Sequence, residues 1–154
     1  GMPGLAVRLP LLFSEGVNTG RITLQQFVAL SATNAAKLYG LHPCKGSIAV
    51  GSDADIAIWD PKETRKVRIE DQHDNMDYTP YEGMRLTGWP VTVLSRGERV
   101  VDAGKLVAKP GRGAFVKRGK IDLTGIPGHR SIELDPAQNF GAEIAPGRKE
   151  ARDL

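Results

Sequence analysis

The sequence predicts an α+β chain in which helices come first, short strands follow and an irregular tail closes. Three observations predict it. Apolar residues recur at helical spacing only within residues 1–43. From 44 to 115 aliphatics alternate with polar residues in short runs bounded by glycine, proline and aspartate. Beyond Phe115 no period is sustained, and Pro127, Pro136 and Pro146 punctuate a stretch that predicts neither helix nor strand.

Each element has its own signal. Thr23 followed by Gln26 forms a capping box, with Leu24, Phe27 and Val28 on one face of the helix that it opens. A second helix of about two turns is expected from near Thr33, carried by Ala35, Leu38 and Tyr39 and ended by Gly40, a residue suited to a left-handed terminus. Lys45 to Asp60, KGSIAVGSDADIAIWD, predicts a hairpin-like unit: Ile48 and Val50 alternate, Gly51-Ser52-Asp53 turns, and Ile56 and Ile58 alternate again before Asp60-Pro61. Further strands are expected over Lys66–Ile69, Met84–Thr87, Val91–Ser95, Arg99–Asp102 and Lys105–Ala108. Ser95-Arg96-Gly97-Glu98 and Asp102-Ala103-Gly104-Lys105 place glycine where a tight hairpin needs positive φ, so the last three should form an antiparallel meander. Gly88 and Pro90 around Trp89 predict a bend or a strand start.

Composition removes several function classes. A chain of 154 residues with 40% hydrophobic and 25% charged residues is of ordinary globular type, sized for one domain. The 21 basic and 18 acidic residues are interspersed, so a net charge of +3 forms no stripe for a phosphate backbone, and no nucleic-acid partner is expected. No apolar run reaches membrane-spanning length and no basic segment leads an apolar core at the start, so no membrane partner is expected. Cys44 is the single cysteine, which excludes an intramolecular disulfide and suits a reducing compartment, and a cytoplasmic location is the expectation.

No constellation of residues declares a reaction. His42, His73 and His129 are widely spaced, and no pair falls on one helical face. Asp71, His73, Asp74 and Asp77 form the densest candidate for a hard cation, but a calcium loop needs glycine and a closing glutamate at set positions, so a solvated acidic loop is the expectation. Cys44 follows His42-Pro43 and has no second partner in view, so an inert or partly buried thiol is expected. Gly111-Arg112-Gly113 suits a plain turn better than an anion cradle, and Lys117, Arg118 and Lys120 suit a solvated face. Trp59, Trp89, Tyr78 and Tyr81 should cover a core edge, with ligand stacking by the two tyrosines as the alternative.

Three segments together resemble the cyclic amidohydrolases, and specifically the dihydropyrimidinase and D-hydantoinase family: GMPGLAVRLPLLFSEGV, SATNAAKLYGLHPCKGSIAVGSDADIAIWDP and DNMDYTPYEGMRLTGWPVTVLSRGERVVDAGKLVAKPGRGAFVKR. The resemblance implies an α+β fragment. Residues 1–43 would be the last loop and helices of a TIM-type (β/α)8 barrel and residues 44–118 the C-terminal part of a small β-sandwich domain. Residues 119–154 depart from the family's sequence, and their proline-spaced composition with the isolated aliphatics Ile126, Ile132, Leu134, Phe140 and Ile144 makes an extended tail and oligomerisation arm the expectation there. The resemblance also implies two zinc ions, bound by a carboxylated lysine, histidines and an aspartate, all upstream of residue 1. In the family a metal-bridging hydroxide opens the cyclic amide of dihydropyrimidines or 5-substituted hydantoins, and the aspartate moves the proton.

None of His42, His73 and His129 matches a ligand position, so no metal ligand and no catalytic residue is expected here. Gly1, Met2 and Pro3 match the loop after a substrate-contacting asparagine, and they should line the pocket wall. The implied partners are the barrel portion of the enzyme and further copies of it in a homodimer or homotetramer. The alternative is a non-catalytic dihydropyrimidinase-related scaffold or an oligomerisation module.

Overall fold

A computed structural model describes residues 3–121 of the chain. The tail from residue 122, with the proposed arm and its aliphatics, lies outside the described residues, as do Gly1 and Met2.

Helix α1 (Arg8–Leu12) runs directly into a π-helical turn, Phe13–Val17. Pro10 sits inside its first turn, where no backbone N–H is required for the helix. The widened π turn carries Ser14 and Asn18 to one backbone unit of the sheet: Thr87 N–H donates to Ser14 Oγ at 3.2 Å, and Asn18 Nδ2 donates to Thr87 C=O at 2.9 Å. These two side chains anchor the helix to the sheet.

Helix α2 (Leu24–Val28) opens with the expected capping box. Gln26 N–H donates to Thr23 Oγ1 at 3.1 Å, and Thr23 N–H donates to Gln26 Oε1 at 2.8 Å. The second helix does not start afresh near Thr33. A π turn over Ala29–Thr33 joins α2 to α3 (Asn34–Leu38), and Val28, Ala29, Thr33 and Asn34 all keep right-handed helical dihedrals. The cap-type residues in SATN are spent otherwise: Ser31 Oγ bonds back to Phe27 C=O at 2.7 Å, and Thr33 Oγ1 reaches across to Gly46 C=O at 2.7 Å. With no glycine or proline to interrupt it, the run ends where expected, at Gly40 with φ +68°.

The sheet has four strands in sequential antiparallel order, β1 (Ile56–Lys66), β2 (Arg85–Ser95), β3 (Glu98–Asp102) and β4 (Lys105–Leu106). The meander is the expected one. Both of its turns place two consecutive residues at positive φ, Arg96 and Gly97 at +50° and +79°, then Ala103 and Gly104 at +47° and +76°. β4 is shorter than the expected Lys105–Ala108, and β3 begins one residue earlier than the expected Arg99.

Three other strand expectations are corrected. Met84–Thr87 and Val91–Ser95 belong to one continuous strand, because register shifts between Ile58 and Trp59 and between Asp60 and Thr64 absorb the bend that Gly88 and Pro90 impose. Lys66–Ile69 is no strand: β1 stops at Lys66, and Ile69–Asp71 forms a 3-10 turn. The hairpin over Lys45–Asp60 is half present. Ile56 to Asp60 lie in β1, but Ile48 and Val50 lie in a loop, 84% and 108% exposed, with no strand beside them among the described residues.

The core sits where α1 crosses β2. Val7, Val67 and Leu86 are buried there, with Leu11, Tyr81 and Trp89 packed around them. Trp89 Nε1 is satisfied by Leu86 C=O at 2.9 Å, and the Arg65 guanidinium stands 5.0 Å above its ring. Beside this core Phe13 stacks on Trp59 with centroids 5.0 Å apart, and Phe27 meets both rings edge-on at 5.4 Å. The two tryptophans thus cover the core edge, as expected.

Candidate functional site

The residues singled out from the sequence do not converge on a reaction centre. Pro3 is buried, and Gly4 follows it against the ring edge of Tyr81: a Cβ built on Gly4 would lie 2.9 Å from Tyr81 Cε2. Tyr81 reaches this position from the turn between Thr79 and Met84. That turn is tied to the end of β1 by Gly83 N–H to Val67 C=O at 2.9 Å and Val67 N–H to Met84 C=O at 2.8 Å. Thr79, itself buried, accepts from Tyr81 N–H at 3.4 Å. Tyr81 is therefore fixed to the core, whereas Tyr78 is half exposed and covers none of it.

The acidic loop is solvated, as expected. Asp71, His73, Asp74 and Asp77 are all exposed, and Asp74 Oδ1 is engaged by the Met76 N–H at 3.2 Å. Among the described residues no group of three or more His, Cys, Asp or Glu side chains could hold a metal ion. The donor set described here therefore does not fit the two zinc ions that the resemblance implies.

Cys44 is exposed, not partly buried, and its partner is Asp53 at 3.5 Å. That hydrogen bond to a carboxylate favours the protonated thiol and raises its pKa, with the Asp53 charge adding to the effect. The thiol is accordingly a poor nucleophile. Sequence reasoning missed what surrounds it: Lys45 Nζ bridges Asp53 at 2.8 Å and Asp55 at 2.5 Å. The hydrogen bond from Lys45 holds Asp53 below the ordinary carboxylate range. Burial pushes Asp55 up, but the Lys45 hydrogen bond and the Arg96 N–H outweigh it and hold Asp55 low as well. Lys45 is raised in turn, first by its bond to Asp53 and then by that to Asp55. Ser52 Oγ adds a 2.7 Å bond to Pro43 C=O, and these polar ties close residues 43–55 as a loop in place of the expected hairpin. The signal was present in the spacing of one lysine and two aspartates, which alternation of the aliphatics overshadowed.

Gly111-Arg112-Gly113 is a strap, with no anion cradle. Arg112 Nη2 donates to Ser95 C=O at 2.7 Å and pairs with Glu98 at 3.1 Å, and the Arg96 guanidinium in turn donates to Arg112 C=O. Lys117, Arg118 and Lys120 are exposed, as a solvated face requires.

An apolar groove of about 780 Å³ lies between the α2–α3 run and β1. Leu24, Phe27, Val28, Ile48, Ile56 and Trp59 line it, and only a few polar groups, Lys45 and Asp55 among them, reach its rim. Its one charged pair, Lys45 and Asp55, is committed to an ion pair and Ser31 bonds back to Phe27 C=O, so its chemistry is that of a packing surface. No helix among the described residues is long and apolar enough to cross a membrane.

Comparison with known proteins supplies the context that this geometry lacks. Residues 4–100 match the amidohydrolase family. A D-hydantoinase of Geobacillus stearothermophilus is 54% identical over 120 residues, 78% of this chain and 26% of that protein. A solved structure of a D-hydantoinase (dihydropyrimidinase) from Thermus sp. is 40% identical with a TM-score of 0.76, over 79% of this chain and 26% of the other. An L-hydantoinase (dihydropyrimidinase) from Arthrobacter aurescens is 39% identical with a TM-score of 0.74, over 77% of this chain and 26% of the other. The chain thus spans about a quarter of the length of the relatives it matches. Since the family match covers well over half of the residues and the likeness extends to the backbone, the chain belongs to the amidohydrolase family, on its hydantoinase and dihydropyrimidinase side.

Proposed function

We propose that this chain is the C-terminal part of a metal-dependent hydrolase of cyclic amides, acting on dihydropyrimidines and 5-substituted hydantoins. In this reading it supports the reaction and does not perform it alone. The observation that carries the reading is the likeness over 120 residues to hydantoinases about four times as long as the stretch they share with it. Residues 1–43 close a (β/α)8 barrel, residues 44–118 contribute to a β-sandwich, and Pro3 stands at the wall of the substrate pocket. In this reading the two zinc ions belong to other parts of the enzyme. The apolar groove beside β1 is then a face that the rest of the cytoplasmic enzyme covers.

The test is a fusion in which this chain replaces the stretch it aligns with in the Geobacillus stearothermophilus D-hydantoinase. With added zinc the fusion should hydrolyse dihydrouracil and a 5-substituted hydantoin, and the 154-residue chain alone should hydrolyse neither. Hydrolysis by the chain alone, or a folded and zinc-loaded fusion without activity, would overturn the reading. The enzyme in this reading is a homodimer or homotetramer joined through residues 119–154. Deleting residues 120–154 from the fusion should lower its mass in light scattering to that of a smaller assembly, and an unchanged mass would remove the arm.

A further inference from the structure

We infer that Tyr81 is a positioning residue for substrate binding, acting through the backbone at Pro3-Gly4. The inference rests on the reading above, in which the Gly-Met-Pro-Gly segment lines the pocket wall. Its geometric ground is independent of that reading. Gly4 has no side chain, and the space a Cβ would take lies 2.9 Å from Tyr81 Cε2, 3.6 Å from its hydroxyl and 3.7 Å from Cζ. Any larger residue at position 4 must therefore push back either the ring or the loop. The ring has little freedom to yield, because it packs on the Val7, Val67 and Leu86 core. Its backbone is held at both ends as well: Thr79 Oγ1 accepts from Tyr81 N–H at 3.4 Å, and Met84 N–H donates to Tyr81 C=O at 3.0 Å.

A rigid aromatic edge thus sets how far the Pro3-Gly4 backbone can sink toward the sheet. Val7, three residues after Gly4, is buried in the same core at 1% exposure, so the segment is pinned on both sides of Gly4. A pocket wall built on this backbone inherits its position from the strand ends around Val67 and Leu86. Displacing such a wall by a fraction of an ångström weakens substrate binding before it alters the reacting groups, which stand elsewhere.

The experiment uses the hydantoinase fusion described above, with steady-state hydrolysis of a 5-substituted hydantoin, zinc content and thermal midpoint measured for each variant. Tyr81→Leu should raise KM on the order of tenfold and change kcat less than about threefold. Tyr81→Phe, which keeps the ring, should restore KM to within about twofold of the parent. Gly4→Ala, which crowds the ring from the other side while leaving the core filled, should raise KM in the same selective way. Phe27→Ala, which empties a buried site against Phe13 and Trp59 outside the core on which the Tyr81 ring packs, serves as the structural control: it should lower the thermal midpoint at least as far as Tyr81→Leu and leave KM unchanged. The inference is overturned if Tyr81→Leu and Gly4→Ala leave KM within about twofold, or if Phe27→Ala raises it equally. An inactive parent fusion is the separate failure of the functional reading, and it takes the pocket wall away with it.

Discussion

Where α1 meets β2, Val7, Val67 and Leu86 are at most 2% exposed, whereas Leu24 and Val28 on α2, Ile58 on β1 and Ile48 in the loop before it remain 53%, 47%, 51% and 84% exposed. Both regions are apolar and both place a helix against the sheet. The first is closed by close approach: Gly88, with φ +100°, leaves room for the Phe13 ring against the strand, and Ser14 and Asn18 tie the helix to Thr87. The second has an aromatic floor of Phe13, Phe27 and Trp59 but no roof, and it opens as a groove. One face of the helical segment is therefore satisfied within these residues, and the other awaits a further layer.

Breaking the closed region should have the largest effect. A Cβ at Gly88 would overlap Phe13 Cδ1 and lie 2.5 Å from Cε1, and alanine would also be forced to positive φ. Gly88→Ala in the fusion should cost about 3–5 kcal/mol, the sum of overpacking and backbone strain, read as a shifted midpoint in urea. Leu86→Ala should come next, at about 3 kcal/mol, since it empties a site with 0% exposure in a core of few residues.

How much of this comparison was legible in the sequence follows from the range of the forces involved. The capping box at Thr23, the left-handed stop at Gly40 and the two turns of the meander are local, and their signals lie within four residues. The run through SATN was not legible, because Ser31 and Thr33 cap nothing and bond instead to Phe27 and to Gly46, the latter thirteen positions away. Nor was the loop at Ile48 and Val50. Alternation there predicted a strand, but alternation specifies a partner without supplying one, and none pairs with it among the described residues. The close approach of Gly88 to Phe13 and of Gly4 to Tyr81 joins residues more than seventy positions apart, beyond any single-sequence signal. The family itself was legible from three segments, since motifs survive where contacts cannot be read.

The open region gives a contrast within a single pair of variants. Ile48→Ser and Val50→Ser replace side chains that touch little in this chain, so each should change the stability of the isolated 154-residue chain by less than about 0.5 kcal/mol. In the fusion, where another layer covers them in the reading above, the same changes should cost about 1–2 kcal/mol each, the transfer term of a newly buried aliphatic. Equal effects in the two contexts, measured by urea unfolding, would show that the groove stays uncovered.

The smallest expected effect sits beside the open groove, in the Lys45 bridge to Asp53 and Asp55, and it is distinguished by its pH profile. Both carboxyls are held below their ordinary range, so their contribution to stability is present above the unfolded-state pKa and is lost as pH falls through the lower folded value. Lys45 is held above its ordinary range, so its contribution is present below the unfolded-state pKa and is lost as pH rises through the folded value. The gap in thermal midpoint between the parent and Lys45→Met should accordingly be flat through neutrality and close at both extremes. At neutral pH the variant also leaves two like charges facing each other around the loop that replaces a strand, and salt should narrow the gap by screening them. The same carboxylate that binds Lys45 holds the Cys44 thiol protonated, so Asp53→Asn should speed iodoacetamide labelling of Cys44 at mildly alkaline pH while Lys45→Met slows it, because the ammonium charge lowers the thiol pKa. Labelling rates that move together in the two variants would mean that this cluster does not govern the thiol.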